Sequence, residues 1–286
     1  MDDRSAKLRA FFARLVAERG GAADPRVEAA FAAVPREPFA GPAPWSILAA
    51  GPGYVRTPDD DPAFLYQDVL VALDPARGIN IGEPSLHARC LDALALREGE
   101  AVLHVGAGSG YYTAILARLV GPGGRVHAFE IEPELAARAA RNLAGTPWVE
   151  VRARSGVAAG LPEADAVYVC AGIARPERSW LDALLPGGRL LFPLQPADGG
   201  LGGMLLARKP RGGSAAAAWP ARFVSRAAFI ACQAPRDGGA EHALRAAFAR
   251  GDWQEVRSLR LGGEPDATCW CAGEGWWLST GGAGTA

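Results

Sequence analysis

The chain has 286 residues, with 30 Lys and Arg against 31 Asp and Glu, and 49% of its residues are hydrophobic. A net charge of −1 excludes electrostatic capture of nucleic acid or of an anionic membrane surface as its main business. It contains no apolar run of about 18 residues, so no transmembrane helix is expected, and MDDRSAKLRAFFARLVAERGG lacks the apolar centre of a signal peptide. Cys90, Cys170, Cys232, Cys269 and Cys271 are scattered in a way that suits reduced thiols, so a cytoplasmic protein is expected. The sequence leaves the oligomeric state open.

Leu8, Phe11, Phe12, Leu15 and Val16 recur at helical spacing and predict an amphipathic helix over 5–19. Asp24 and Pro25 then supply an N-cap and a first-turn proline for a second helix carrying Val27, Ala30 and Phe31. From Pro35 to Pro62 the chain is dense in Pro and Gly, which predicts an irregular covering segment packed by Phe39, Trp45 and Tyr54. From Pro84 the pattern changes. Helices over 84–96, 111–120, 133–143 and 177–185 alternate with apolar strands at 101–105, 125–130, 149–153, 166–171 and 189–193. Short loops between alternating strands and helices predict an α/β fold with a mostly parallel sheet. Strands at 204–207 and 223–230, separated by the Gly/Ala loop 211–218, read as an antiparallel pair at the sheet edge. A helix at 241–250 follows, then a Trp-rich tail of two short strands around Gly273-Glu274-Gly275. The expected organisation is a helical and loop cover (1–83), a core (84–232) and a C-terminal extension (233–286).

The most informative stretch is VLHVGAGSGYYTAIL, residues 102–116. A strand runs into Gly106-Ala107-Gly108-Ser109-Gly110, and a helix follows. Glycines let the backbone turn tightly and approach a ligand, while the helix start offers free N–H groups. Glu130 closes the next strand, where a carboxylate can accept both hydroxyls of a ribose. The dinucleotide fingerprint places its third glycine where Tyr111 stands. The spacing G-x-G-x-G is instead the pattern of S-adenosylmethionine-dependent methyltransferases, with a Rossmann-like fold carrying antiparallel edge strands.

Around this core, DPRVEAAFAAVPREPF (24–39), GINIGEPSLHA (78–88), VHAFEIEPELAARAARNL and LLPGGRLLFPL occur in one order. In these pieces the chain resembles protein-L-isoaspartate O-methyltransferases over residues 24–232. The V-P-R-E-x-F turn and GINIGEP carry the resemblance. It implies S-adenosyl-L-methionine as cofactor, with Gly106, Gly108 and Ser109 at its methionine end, Glu130 on its ribose and Ile131 against the adenine. It also implies Ser155-Gly156 at the adenine edge, Ile81-Gly82 over the sulfonium and His104 beside the amino acid end. The expected partner is a peptide or protein with an aspartyl or isoaspartyl side chain, and no metal is expected.

Four positions, in three segments, depart from the family pattern. The serine of T-I-S-x-P is Gly82 and its threonine is Asn80; the acidic residue of the glycine-motif strand is His104; the aspartate of the adenine loop is Ser155. Asn80, Glu83 and His87 are the remaining candidates for holding a substrate. The resulting reading is carboxyl O-methylation of a peptide or protein side chain. A cofactor-binding adapter without transfer activity, and a methyltransferase of a small molecule or natural-product peptide, stand as alternatives.

Overall fold

The computed structural model describes residues 3–48, 53–198, 200–212, 218–234 and 237–283. Parts of two segments read as loops from the sequence, 49–52 and 213–217, lie outside the described residues. The helices are α1 (Asp3–Gly20), α2 (Pro25–Ala33), α3 (Glu37–Ala40), α4 (Pro84–Leu94), α5 (Tyr111–Val120), α6 (Pro133–Asn142), α7 (Arg178–Ala183) and α8 (Gly238–Arg250). The strands are β1 (Ser46–Leu48), β2 (Val55–Arg56), β3 (Leu70–Asp74), β4 (Ile79–Asn80), β5 (Ala101–Val105), β6 (Arg125–Glu130) and β7 (Val149–Ala153). Seven more follow: β8 (Ala164–Val169), β9 (Leu184–Leu194), β10 (Gly202–Arg208), β11 (Trp219–Ala227), β12 (Ser258–Leu261), β13 (Cys269–Gly273) and β14 (Trp276–Ser279). The chain divides into two compact units, Met1–Glu100 with Gly106–Arg154, and Ala101–Val105 with Ser155–Ala286.

In the first unit α1 packs on α2 and α4. Phe12 meets Phe31 edge-on, with ring centroids 6.2 Å apart. The buried stripe of α1 is Phe12, Ala13, Val16 and Ala17, whereas Phe11, expected on the apolar face, is 68% exposed. Phe11 stands about 100° around the helix from Phe12 and falls outside the stripe centred on Phe12 and Val16. Helix α2 starts as its sequence dictates: Asp24 accepts the Arg26 N–H and Pro25 opens the first turn. The Pro/Gly-rich segment is more regular than expected. It holds the single turn α3 and the strands β1 and β2, which join β3 and β4 in a four-stranded antiparallel sheet ordered β2-β1-β3-β4. Strands β6 and β7 pair in parallel, and α5 and α6 pack on them.

In the second unit β5 and β9 each pair in parallel with β8, forming the buried centre. Strand β10 turns back antiparallel on β9, and β11 on β10. This pair is not the sheet edge: β12 pairs with β11, β14 with β12 and β13 with β14. The Trp-rich tail therefore continues the sheet, satisfying β11 backbone groups that an open edge would expose. Its side chains close over an aromatic cluster, with Trp270 5.3 Å from Phe223 and 5.1 Å from Phe248 between ring centroids.

Candidate active site

The glycine turn is held from several directions within the first unit. The amides of Gly106 and Ala107 donate to the Phe129 carbonyl (2.9 and 3.1 Å), and Gly110 closes the turn on the Ala107 carbonyl (2.9 Å). Asn142 Nδ2 donates to the Ser109 carbonyl (2.9 Å). Gly106, Gly108 and Gly110 all have positive φ (79°, 57° and 93°), conformations that side-chain-bearing residues rarely adopt. Tyr111 opens α5 fully buried, edge-on to Phe39 at 5.6 Å and under the Arg36 guanidinium.

Glu130, 6% exposed, ends β6 against this turn. Its Oε2 accepts the Gly108 N–H at 2.6 Å and its Oε1 accepts the Glu132 N–H at 2.9 Å. A carboxylate has about four lone-pair sites, so each oxygen keeps capacity for a further donor such as a ribose hydroxyl. Ser109 Oγ is buried with no hydrogen-bond partner among the described residues. An orphaned hydroxyl and a carboxylate with spare acceptor sites, on one glycine-lined turn, fit a polar nucleoside ligand. Ile131, 40% exposed, follows Glu130 and offers an apolar surface beside it.

The V-P-R-E-x-F turn explains how the neighbouring segment is positioned. Arg36 is completely buried, and its guanidinium donates to the carbonyls of Leu65 (2.5 Å), Gln67 (3.0 Å) and Val69 (3.4 Å). The Tyr66 hydroxyl donates to Glu37 at 2.6 Å, and burial, followed by that bond, pushes its pKa up to about 12. This clamp fixes the approach to β3, and β3 in turn carries β4 and the GINIGEP segment.

That segment brings Asn80, Ile81, Gly82 and His87 together. Asn80 Oδ1 accepts the Gly82 N–H at 2.9 Å, while its Nδ2 donates to the Gly78 carbonyl (2.9 Å) and to the Tyr54 hydroxyl (3.1 Å). Ile81 is buried, and its N–H donates to the Val71 carbonyl. Gly82 has φ +94°, and a Cβ there would fall on His87 Nε2. The buried His87 ring lies flat on Tyr112, centroids 3.5 Å apart and planes 6° from parallel. The Tyr112 hydroxyl donates to the Gly82 carbonyl at 3.2 Å. No spacing rule in the sequence ties Tyr54 or Tyr112 to Gly82; the folded backbone brings them there. Burial, and then the charge of Asp68, raises Glu83 above its usual range.

The other three candidates lie in the second unit. His104 on β5 is fully buried, stacked on Tyr168 at 5.6 Å, with Nε2 3.5 Å from Cys170 Sγ. Burial drives its pKa down to about 3, so at neutral pH it carries no charge. Ser155 Oγ accepts the Val157 N–H (3.2 Å), and the Gly156 carbonyl accepts Trp180 Nε1 (2.8 Å).

A glycine turn opening a helix, with the acid that ends β6 braced against it, is the arrangement of an α/β nucleoside-binding site. The sequence matches the family Protein-L-isoaspartate(D-aspartate) O-methyltransferase over residues 9–217. It is 38% identical to the protein-L-isoaspartate O-methyltransferase of Aeropyrum pernix over 157 residues, covering 53% of this chain and 59% of that protein. It is 33% identical to that of Gloeobacter violaceus over 202 residues, covering 69% of this chain and 88% of that protein. The chain spans 59–65% of the first three curated relatives it matches. A solved protein-L-isoaspartate O-methyltransferase superposes with a TM-score of 0.63 at 21% identity, covering 89% of this chain and 72% of that one. A second solved chain, from Plasmodium falciparum and in complex with S-adenosyl-L-homocysteine, gives 0.60 at 18% identity, covering 79% of this chain and 98% of that one. These two establish the α/β methyltransferase fold. The chain belongs to the protein-L-isoaspartate(D-aspartate) O-methyltransferase family.

Proposed function

We propose that this protein is an S-adenosylmethionine-dependent methyltransferase that esterifies a side-chain carboxylate of a peptide or protein. The observation that carries the reading is the Glu130 carboxylate on the Gly108 N–H, with Ser109 Oγ buried and unsatisfied on the same turn. Gly106, Gly108 and Ser109 would hold the cofactor's amino acid end, Glu130 its ribose and Ile131 its adenine. When bound, the cofactor supplies an electrophilic methyl group on a sulfonium.

The acceptor needs little from the protein by way of proton transfer. A carboxylate with pKa about 4 is already ionised at neutral pH, so the protein's part is to orient the acceptor and exclude water. The four-stranded sheet over 46–80 and the Asn80–Gly82–His87–Tyr112 cluster are the elements available for that task. The five cysteines form no disulfide, which supports the cytoplasm as the working compartment.

Transfer of labelled methyl from S-adenosylmethionine to an isoaspartyl peptide, with its ordinary aspartyl counterpart alongside, tests the reading. Base-labile methyl ester on the isoaspartyl peptide is the expected result. A cofactor-binding adapter is the second reading, favoured by Gly82, which brings no hydroxyl to the segment; cofactor binding without transfer to either peptide selects it.

A further inference from the structure

Position 82 is closed to any side chain. Its φ of +94° is a glycine conformation, and the space a Cβ would take is filled by the His87 imidazole. A group that orients the acceptor beside this segment must therefore come from another residue. Two tyrosine hydroxyls reach it. The proton of Tyr112 is committed to the Gly82 carbonyl at 3.2 Å. That of Tyr54 is not.

The distinction follows from the polarity of Asn80. Its Oδ1 is fixed by the Gly82 N–H (2.9 Å), so its Nδ2 must face both the Gly78 carbonyl (2.9 Å) and Tyr54 Oη (3.1 Å). Tyr54 is the acceptor in that bond, which leaves its own O–H to donate elsewhere. The described residues give that proton no acceptor. The half-buried Tyr54 precedes β2, so its hydroxyl comes from the covering segment and is tied to position 82 through one amide group.

We propose that Tyr54 supplies the hydroxyl that receives the acceptor's carboxylate, with Asn80 as the residue that aims it. With its oxygen already accepting from Asn80, the phenol has its O–H left to donate, and that O–H bonds an anionic carboxylate oxygen more strongly than a neutral amide oxygen. The inference rests on the methyltransferase reading and adds the determinant of acceptor choice.

The test uses the full chain saturated with S-adenosylhomocysteine. Affinities are measured for a fluorescent isoaspartyl peptide and for the same peptide carrying isoasparagine. The unaltered chain is expected to prefer the carboxylate by about tenfold or more, the range of one charge-assisted hydrogen bond. Tyr54→Phe removes the preference while melting temperature and S-adenosylhomocysteine affinity stay unchanged. Asn80→Asp also removes it although the phenol is present, because the new carboxylate draws the Tyr54 proton inward. Full preference in Tyr54→Phe, or none in the unaltered chain, overturns the proposal. S-adenosylhomocysteine affinity in the same samples reports separately on the cofactor site.

Discussion

His87 and Gly82 exclude one another: the imidazole occupies the volume that any side chain at position 82 requires. The five-residue spacing puts His87 on the first turns of α4, where Tyr112 of α5 supports it from behind by stacking. Gly82→Ser is therefore not a repair of the family motif. It is expected to lower stability by about 1–3 kcal/mol, from the strained φ and the collision with His87 together. A double-mutant cycle with His87→Ala checks this: the pair should lose less than the sum of the single changes.

Glu130→Gln exchanges a carboxylate that accepts two backbone N–H groups for an amide that presents one oxygen and one NH₂. Binding of S-adenosylhomocysteine should weaken by about 10-fold or more, the scale of a lost charged hydrogen bond. Titration calorimetry on both chains measures it. Unaltered affinity would mean the carboxylate serves only to brace the glycine turn.

His104 sets a pH dependence. Its pKa falls from 6.5 unfolded to about 3 folded, so across that window the unfolded chain binds a proton the folded chain does not. Stability should therefore fall as pH drops below 6.5. His127, lowered by partial burial, acts in the same direction. Carboxylates held low by arginines, such as Asp24 and Glu150, add their own loss in more acidic solution. Between about pH 6 and pH 5, His104→Gln should reduce the slope by up to about 1.4 kcal/mol per pH unit. Denaturant titrations at three pH values give the comparison.

The C-terminal strands carry stability of their own. Trp270 is buried between Phe223 and Phe248, and its Nε1 donates to the Gly251 carbonyl at 3.1 Å. Trp270→Ala should cost about 3–5 kcal/mol. Removing residues 258–286 should leave β11 as an open edge and produce concentration-dependent association, read by light scattering.

Much of this architecture was legible in the chain. Ala101–Val105, Arg125–Glu130 and Val149–Ala153 are strands with the bounds their apolar runs predict, and Tyr111–Val120 is a helix from its first periodic residue. The small sheet over 46–80 was not legible, since strands of two to five residues among prolines and glycines carry too little periodicity to register. Ser258–Leu261 escaped for a related reason: it is a strand because β11 and β14 flank it. In the site, the glycine turn and Glu130 announce themselves by spacing. The Tyr54–Asn80 bond and the Tyr112–Gly82 bond join residues 26 and 30 apart, and only the folded backbone brings those together.

The measurement that bears most directly on the central claim is titration of the full chain with S-adenosylhomocysteine, repeated on Gly108→Val. The account expects one site per chain in the first and none in the second, with both chains folded by circular dichroism. Absence of binding to the unaltered chain, or equal binding by both, would contradict it.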